Sequence, residues 1–210
     1  MSVFLEAKCK KCRRAGVKLF LKAEKCYTAK CPLVRRRYPP GAHGFKSMHA
    51  RMTPYGKRLQ EKQKIKNMYG LRERQLLRYY HMARSIAGDV GQNFLTLLET
   101  RLDNIVYRLG IANSRSEARQ MVGHGHIFLN NKKVDIPSIL LRPGDSITIR
   151  PHSAGKKPFE EVQNKIMKAE LPSWLVWELD TFRADVVAKP QEKDLKGEVD
   201  IRSIIEYYSK

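Results

Sequence analysis

Cysteine is scarce in this 210-residue chain, and none lies beyond residue 31. Long hydrophobic runs are missing too. No apolar stretch approaches the roughly 20 residues a membrane-spanning helix needs. No hydrophobic signal segment opens the chain, so the cysteines are expected to stay outside an oxidising compartment. There is no lipid-anchor motif and no basic amphipathic tail, which argues against a membrane surface as partner. Acid is in short supply: 21 Asp and Glu stand against 41 Lys and Arg, a formal charge of +20. An excess of that size favours a polyanion, with nucleic acid ahead of an anionic membrane.

What cysteine there is has a pattern. Cys9 and Cys12 are separated by two residues, and Cys26 and Cys31 by four. Two close thiolate pairs joined by a short loop can complete a tetrahedral site. Four protein ligands leave no open position, so a metal held there is structural. Zinc is the default, an iron–sulfur cluster the alternative, and two disulfides or reduced thiols the bland reading. Neighbouring lysines and arginines would help keep the thiols ionised.

The charge is uneven. Residues 1–70 carry 19 basic and 3 acidic side chains, residues 71–160 carry 14 and 8, and residues 161–210 carry 8 and 10. A solvated surface normally mixes both signs, so the first seventy residues look like a grip on a polyanion. Arg13 and Arg14 lie within the cysteine segment. Arg35, Arg36, Arg37, Tyr38, Pro39, Pro40, Gly41, Ala42, His43 and Gly44 follow it. That composition predicts an extended loop that can approach phosphates closely. Its arginine forks suit phosphate oxygens, and Tyr38 or His43 suits stacking on a base.

Thr53-Pro54 reads as N-cap and first position of a helix carrying Lys57, Arg58, Lys62, Lys64 and Lys66, stopped near Gly70. A second helix is expected from about Glu73 to Ala87, with Leu76, Tyr80, Ala83 and Ala87 on the core stripe and Arg74, Arg78 and Arg84 off it. Gly88 and Gly91 bracket a hinge. Leu95, Leu98, Leu102, Ile105, Val106 and Leu109 then form one continuous helical stripe. Ser114 and Glu117 make a capping box, with Ala118, Met121 and Val122 inward and Arg115 and Arg119 sharing an exposed face. Ile127–Leu129 and Lys132–Val134 flank Asn130-Asn131 as a two-residue hairpin. Pro143-Gly144-Asp145 makes another turn before a strand carrying Ile147 and Ile149. Arg115, Arg119, His124, Lys132 and Lys133 are expected along one side of this unit. His124 and His126 have no third ligand nearby, so a polar contact to RNA and a half-buried histidine both remain open. Another helix is expected near residues 158–169, then an apolar segment of Trp174, Leu175, Trp177 and Leu179. Ile201, Ile204 and Ile205 face a core in a terminal element expected to return to the N-terminal helices.

Several of these stretches resemble one family. The run from Leu98 to Ile149 resembles the small RNA-binding fold named after ribosomal protein S-four, a module also found in RNA-modifying enzymes. The cysteine knot, RRRYPPGAHG, YGKRLQEKQKIKNMYGLRERQ, LLETRLDNIVYRLGIANSRSEARQMVGHGHI and the terminal IIEYYSK together resemble the bacterial S-four ribosomal protein family, over essentially the whole chain. The four cysteines match its zinc-bearing subset. The expected class is α+β: a mostly helical N-terminal domain with a zinc knot, plus two helices packed on a short antiparallel sheet. The expected divisions are 1–45 (basic knot and loop), 46–92 (helical), 93–155 (RNA-binding module) and 156–210 (C-terminal segment).

The resemblance implies a non-enzymatic, cytoplasmic constituent of the small ribosomal subunit. It implies binding of 16S ribosomal RNA at a multi-helix junction of the 5′ domain early in assembly. It also implies a place beside the third and fifth small-subunit proteins at the messenger entry tunnel. Some members repress their own messenger or assist antitermination. Gly123 stands where members often have a basic or polar residue, and Asn131 where they often have glycine. The alternatives are an RNA-modifying enzyme with the same module, for which the last fifty residues are too few and too acidic, and a zinc-containing DNA regulator, whose base-reading helix is not evident. DNA and membrane partners are not expected.

Overall fold

Pro54 opens the longest helix because its fixed φ suits the first turn and its missing N–H is not needed there. In the computed structural model, which describes residues 7–48, 51–154, 171–178, 183–191 and 199–209, the Thr53 hydroxyl caps that turn by accepting from the Gly56 amide at 3.2 Å. The chain divides into two units, Met1–Gly91 with Gly197–Lys210, and Gln92–Lys196.

The first unit is helical. It contains α1 (Lys8–Ala15), a single 3-10 turn at Ala23–Cys26, α2 (Pro32–Arg35), α3 (Gly44–Ser47), α4 (Pro54–Met68), α5 (Glu73–Ser85) and, from the chain's other end, α10 (Ile201–Tyr208). α4 is the hub. Gln60 donates to the Ala15 carbonyl of α1 at 3.1 Å, Lys62 and Lys66 hold Glu73 of α5, and Arg58 pairs with Glu206 of α10 at 2.8 Å. Ile65, Leu71, Leu76, Tyr80, Ala83 and Ile204 fill the interior. Each large apolar side chain so buried contributes roughly 1.5–3 kcal/mol. α5 stops at Ser85, two residues short of the expected end, so Ala87 is exposed instead of in the core. Arg35 closes the short helix α2, so the arginine-rich loop starts one residue later than composition suggests.

In the second unit, α7 (Leu102–Arg108) and α8 (Arg115–Gly123) pack on an antiparallel sheet of β1 (Ile127–Leu129), β2 (Lys132–Val134), β3 (Ser146–Ile149), β4 (Leu175–Glu178) and β5 (Arg183–Val186), in the order β2-β1-β3-β5-β4. The sheet is longer than the expected module, because the apolar Trp174–Trp177 segment supplies its outer strand. Ile127 pairs with Val134 across the hairpin and with Ile149 on the other side. Asn130 and Asn131 take φ of +49° and +63°, the left-handed pair that a tight hairpin matching strand twist requires. Leu102, Ile105, Val106 and Leu109 meet Ala118, Met121 and Val122 above Ile127, Ile147, Ile149, Trp174 and Val186 in one core.

The single stripe expected from Leu95 to Leu109 is in fact two helices, α6 (Val90–Glu99) and α7. The Thr100 hydroxyl turns back to the Thr96 carbonyl at 2.8 Å, and Arg101 becomes extended and bridges Leu140. The Leu102 amide donates to Ile139 and the Leu141 amide to Thr100, so a segment of loop takes the hydrogen bonds a continued helix would have used. Leu95 is half-buried and Phe94 takes the core position. A short α9 (Pro151–Ala154) follows β3. The helix expected near 158–169 and Leu179 lie outside the described residues.

Candidate nucleic-acid interface and cysteine pocket

The cysteine segment is folded by local rules. α1 puts Cys9 and Cys12 one turn apart and ends at Gly16, whose φ of +73° is the left-handed stop a helix C-terminus favours. Cys26 closes the 3-10 turn, and Cys31 precedes Pro32 at the start of α2. Phe20 and Ala23 both take positive φ, at 50° and 46°, which side-chain-bearing residues adopt only when their surroundings impose it. All four thiols line one pocket, with Leu21, Pro32 and Leu33 as apolar walls. The Lys22 amide donates to Cys26 Sγ at 3.3 Å. Burial pushes the Cys12 thiol up, the other three cysteines add to that, and a backbone bond from Leu19 opposes it. No pair is disulfide-linked. Among the described residues no set of three or more His, Cys, Asp or Glu side chains is closed to ligand geometry. The donor set nevertheless suits a thiophilic ion: four soft thiols around one pocket, with amide N–H groups turned toward two of the sulfurs.

The cations expected to meet RNA fall into two groups. Arg14, Arg35, Arg36, Arg37, His43, Lys57, Arg74, His124, Lys132 and Lys133 are exposed. The stem of Lys133 lies over Gly125, where a Cβ would otherwise sit.

The rest are engaged inside the fold. Lys62 is only 5% exposed; its ammonium donates to Glu73 at 2.8 Å and Tyr207 at 3.3 Å and lies 4.3 Å over the Tyr207 ring. Lys64 is buried and pairs with Glu61 at 2.6 Å. Lys66 and Arg58 are half-buried in ion pairs. α4 carries few apolar residues, so lysine stems cover its inner face while their heads find carboxylates. Arg13 donates to the Tyr38 and Pro39 carbonyls at 3.0 and 3.3 Å and stacks on Tyr38 at 4.8 Å, so Tyr38 has one ring face occupied.

Arg115 and Arg119 share a face, but a half-buried one. Arg119 grips Asp103 at 2.7 Å, and Arg115 donates to Asn104 at 2.7 Å and covers the Tyr107 ring at 4.6 Å. Asp103 also takes two bonds from Arg101, which is 1% exposed. Buried Glu99 accepts both from Arg108, at 2.9 and 2.8 Å, and from Asn104 at 2.7 Å. The expected capping box is half present: Ser114 caps the Glu117 amide, while the Glu117 carboxylate accepts from the Asn113 amide instead of the Ser114 one.

Glu99, Asp103 and Glu73 were not singled out by sequence reasoning. Their signal is positional, since each acid falls on or beside an apolar stripe with arginine or lysine within helical reach. His126 is half-buried with Nδ1 3.0 Å from the Ser153 hydroxyl, whereas exposed His124 meets it edge-on at 6.0 Å.

Residues 4–99 match the family model described as "Ribosomal protein S4/S9 N-terminal domain", and residues 100–147 match the one described as "S4 domain". The chain is similar to "Small ribosomal subunit protein uS4" of Halothermothrix orenii, 48% identical over 202 residues and 96% of each chain. It is similar to the uS4A protein of Alkaliphilus metalliredigens, 43% identical over the whole of both chains. The uS4 protein of Thermoanaerobacter sp. is 47% identical over 203 residues and 96% of each chain. Two family models that together span residues 4–147, and relatives 43–48% identical over 96% or more of the chain, mean that it belongs to the uS4 family of small ribosomal subunit proteins.

Proposed function

We propose that this protein is a structural, non-enzymatic constituent of the small ribosomal subunit in the cytoplasm, where it binds 16S ribosomal RNA. The observation that carries the reading is the full-length similarity to proteins named for that subunit. The charge distribution supports it. From Lys25 to Arg58 there are nine Lys and Arg and no Asp or Glu. Arg35, Arg36, Arg37 and Lys57 stand exposed in that stretch. Such cations neutralise phosphates and release counterions, so affinity falls with salt. No group needs to react: the protein favours one RNA fold by binding it better than the alternatives.

The finer reading places the protein on a multi-helix junction of the 5′ domain early in assembly, and beside the third and fifth small-subunit proteins where messenger enters. Junction RNA has irregular shape and unstacked bases, which a basic surface with bare loops can follow. The zinc-bearing subset is part of the same proposal: Cys9, Cys12, Cys26 and Cys31 hold one structural zinc, which fixes the basic loops that follow them. Their shared pocket supports this.

The test is binding of the purified chain to a 16S 5′-domain transcript, titrated with salt, beside elemental analysis for metal. The expected result is tight binding that prefers this RNA over unrelated structured RNA and weakens steeply with salt, with one zinc per chain. No preference for the 5′ domain sinks the rRNA reading. A visible charge-transfer spectrum with bound iron replaces zinc by an iron–sulfur cluster.

A further inference from the structure

We propose that Phe45 is a base-stacking residue, receiving an unstacked nucleobase of the RNA; the inference rests on the rRNA reading above. Tyr38 and His43 are the rings that sequence offers for this role, but Arg13 already covers one face of Tyr38. Phe45 meets the Tyr38 ring edge-on, with centroids 6.1 Å apart and planes at 78°, and is itself 66% exposed. An aromatic this open leaves most of its ring available to a partner.

The loop that carries it is built in advance. Arg13 pins the Tyr38 and Pro39 carbonyls. The Gly44 amide donates to Gly41 at 3.1 Å, and the Ser47 hydroxyl donates to Gly44 at 3.0 Å. The Pro39 carbonyl oxygen sits where a Cβ on Gly44 would be, so only glycine lets the backbone close there. Phe45 therefore has its position set before any partner arrives.

Charge selects the occupant. No acidic residue lies in sequence between Glu24 and Glu61. Arg36 and Arg37, just before Tyr38 in sequence, and Lys46, just after Phe45, are exposed. An apolar protein surface would gain nothing from that surround, whereas a nucleotide brings a π face for Phe45 and phosphates for the cations.

The experiment uses the full chain and the 16S 5′-domain transcript, with Phe45→Ala, Phe45→Leu, Phe45→Trp and Gly44→Ala. Phe45 is exposed, so its variants should melt at the wild-type temperature. Loss of one stacked base predicts weaker binding by about fivefold to about a hundredfold for F45A. The slope of log affinity against log salt should stay unchanged, because no charge is removed. F45L should behave like F45A, since leucine has bulk but no π face. F45W should bind like the wild type, and its added emission should be quenched by the RNA. G44A should weaken binding with Phe45 still in place. Wild-type affinity for F45A overturns the inference alone. Wild-type affinity for F45L overturns stacking in favour of a purely apolar contact. Failure of the unsubstituted chain to bind the transcript overturns the rRNA reading and this inference with it.

Discussion

Two arginine clusters, one in each unit, have opposite fates. In the first, Arg35, Arg36 and Arg37 stand exposed in a stretch whose nearest acids in sequence are Glu24 and Glu61. In the second, Arg101, Arg108 and Arg119 close on the buried carboxylates of Asp103 and Glu99, and Arg115 is drawn to Asn104. One set stands exposed to solvent, and the other sews α6, α7 and α8 together. A net charge of +20 therefore overstates the binding surface. What decides a cation's role is whether a carboxylate lies within reach inside the fold, because a desolvated carboxylate takes the nearest guanidinium. α4 repeats the lesson within the first unit, where Lys62 and Lys64 are held inside while Lys57 remains exposed.

The hardest blow to that contrast is Asp103→Ala. It removes the carboxylate that Arg101 and Arg119 share, and breaking one side of a buried pair costs about 3–5 kcal/mol. Denaturant unfolding should show the loss. The paired prediction is that Arg36→Ala leaves stability unchanged to within about 0.5 kcal/mol, as expected for an exposed position. A D103A protein as stable as the wild type would mean the second unit's arginines are not structural.

Much of the fold was legible in the sequence because it is written in local signals. The Thr53 and Ser114 caps, the Asn130-Asn131 hairpin, and the inward Ile147 and Ile149 each depend on a few adjacent residues. The five-stranded extent of the sheet was not legible. β5 joins β3 across some thirty-five intervening residues, and periodicity carries no information about such pairings. The break at Thr100–Arg101 was hidden for a related reason: the apolar spacing runs through it unbroken, and only the distant Pro137–Leu141 loop supplies the competing hydrogen bonds. At the candidate interface, residue type gave the cations but not their partners. Lys62 reads like Lys57 until Glu73 and Tyr207 are seen beside it.

A smaller effect probes the polar knot in the first unit. Burial alone would push the Glu73 carboxyl up, but hydrogen bonds from Lys62, Lys66 and Tyr208 outweigh it and hold the group below its ordinary value. Stability from a depressed carboxylate is present above the unfolded value, near about 4.3, and is lost as pH falls through the lower folded one. Burial, then the bond to Glu73, pushes the Tyr208 hydroxyl up. That contribution is present below the unfolded value, near about 10, and is lost as pH rises beyond it. The contact between α10 and α5 should thus hold between roughly pH 4 and pH 10. Melting curves across pH should show Glu73→Gln less stable than the wild type at neutrality, with the gap closing in acid. Tyr208→Phe loses one hydrogen bond to a charged acceptor, worth about 1.5–3 kcal/mol at most. If the E73Q gap is the same at pH 3 and pH 7, the lysines are not holding Glu73 as a carboxylate.

The finest discrimination comes from salt. If the exposed arginines touch phosphate and the paired ones do not, Arg36→Gln should lower the slope of log affinity against log salt by about 0.9, the share of one phosphate contact. Arg119→Gln should leave that slope alone. It can still weaken binding, because loss of its grip on Asp103 loosens α8, but such a loss is the same at every salt concentration. The two variants remove the same charge from the same chain, so net electrostatics cannot separate them. Only the partner each guanidinium already has can do so. Equal slopes would mean that Arg119 releases Asp103 when RNA arrives, and the division between structural and binding arginines would then hold for the free protein alone.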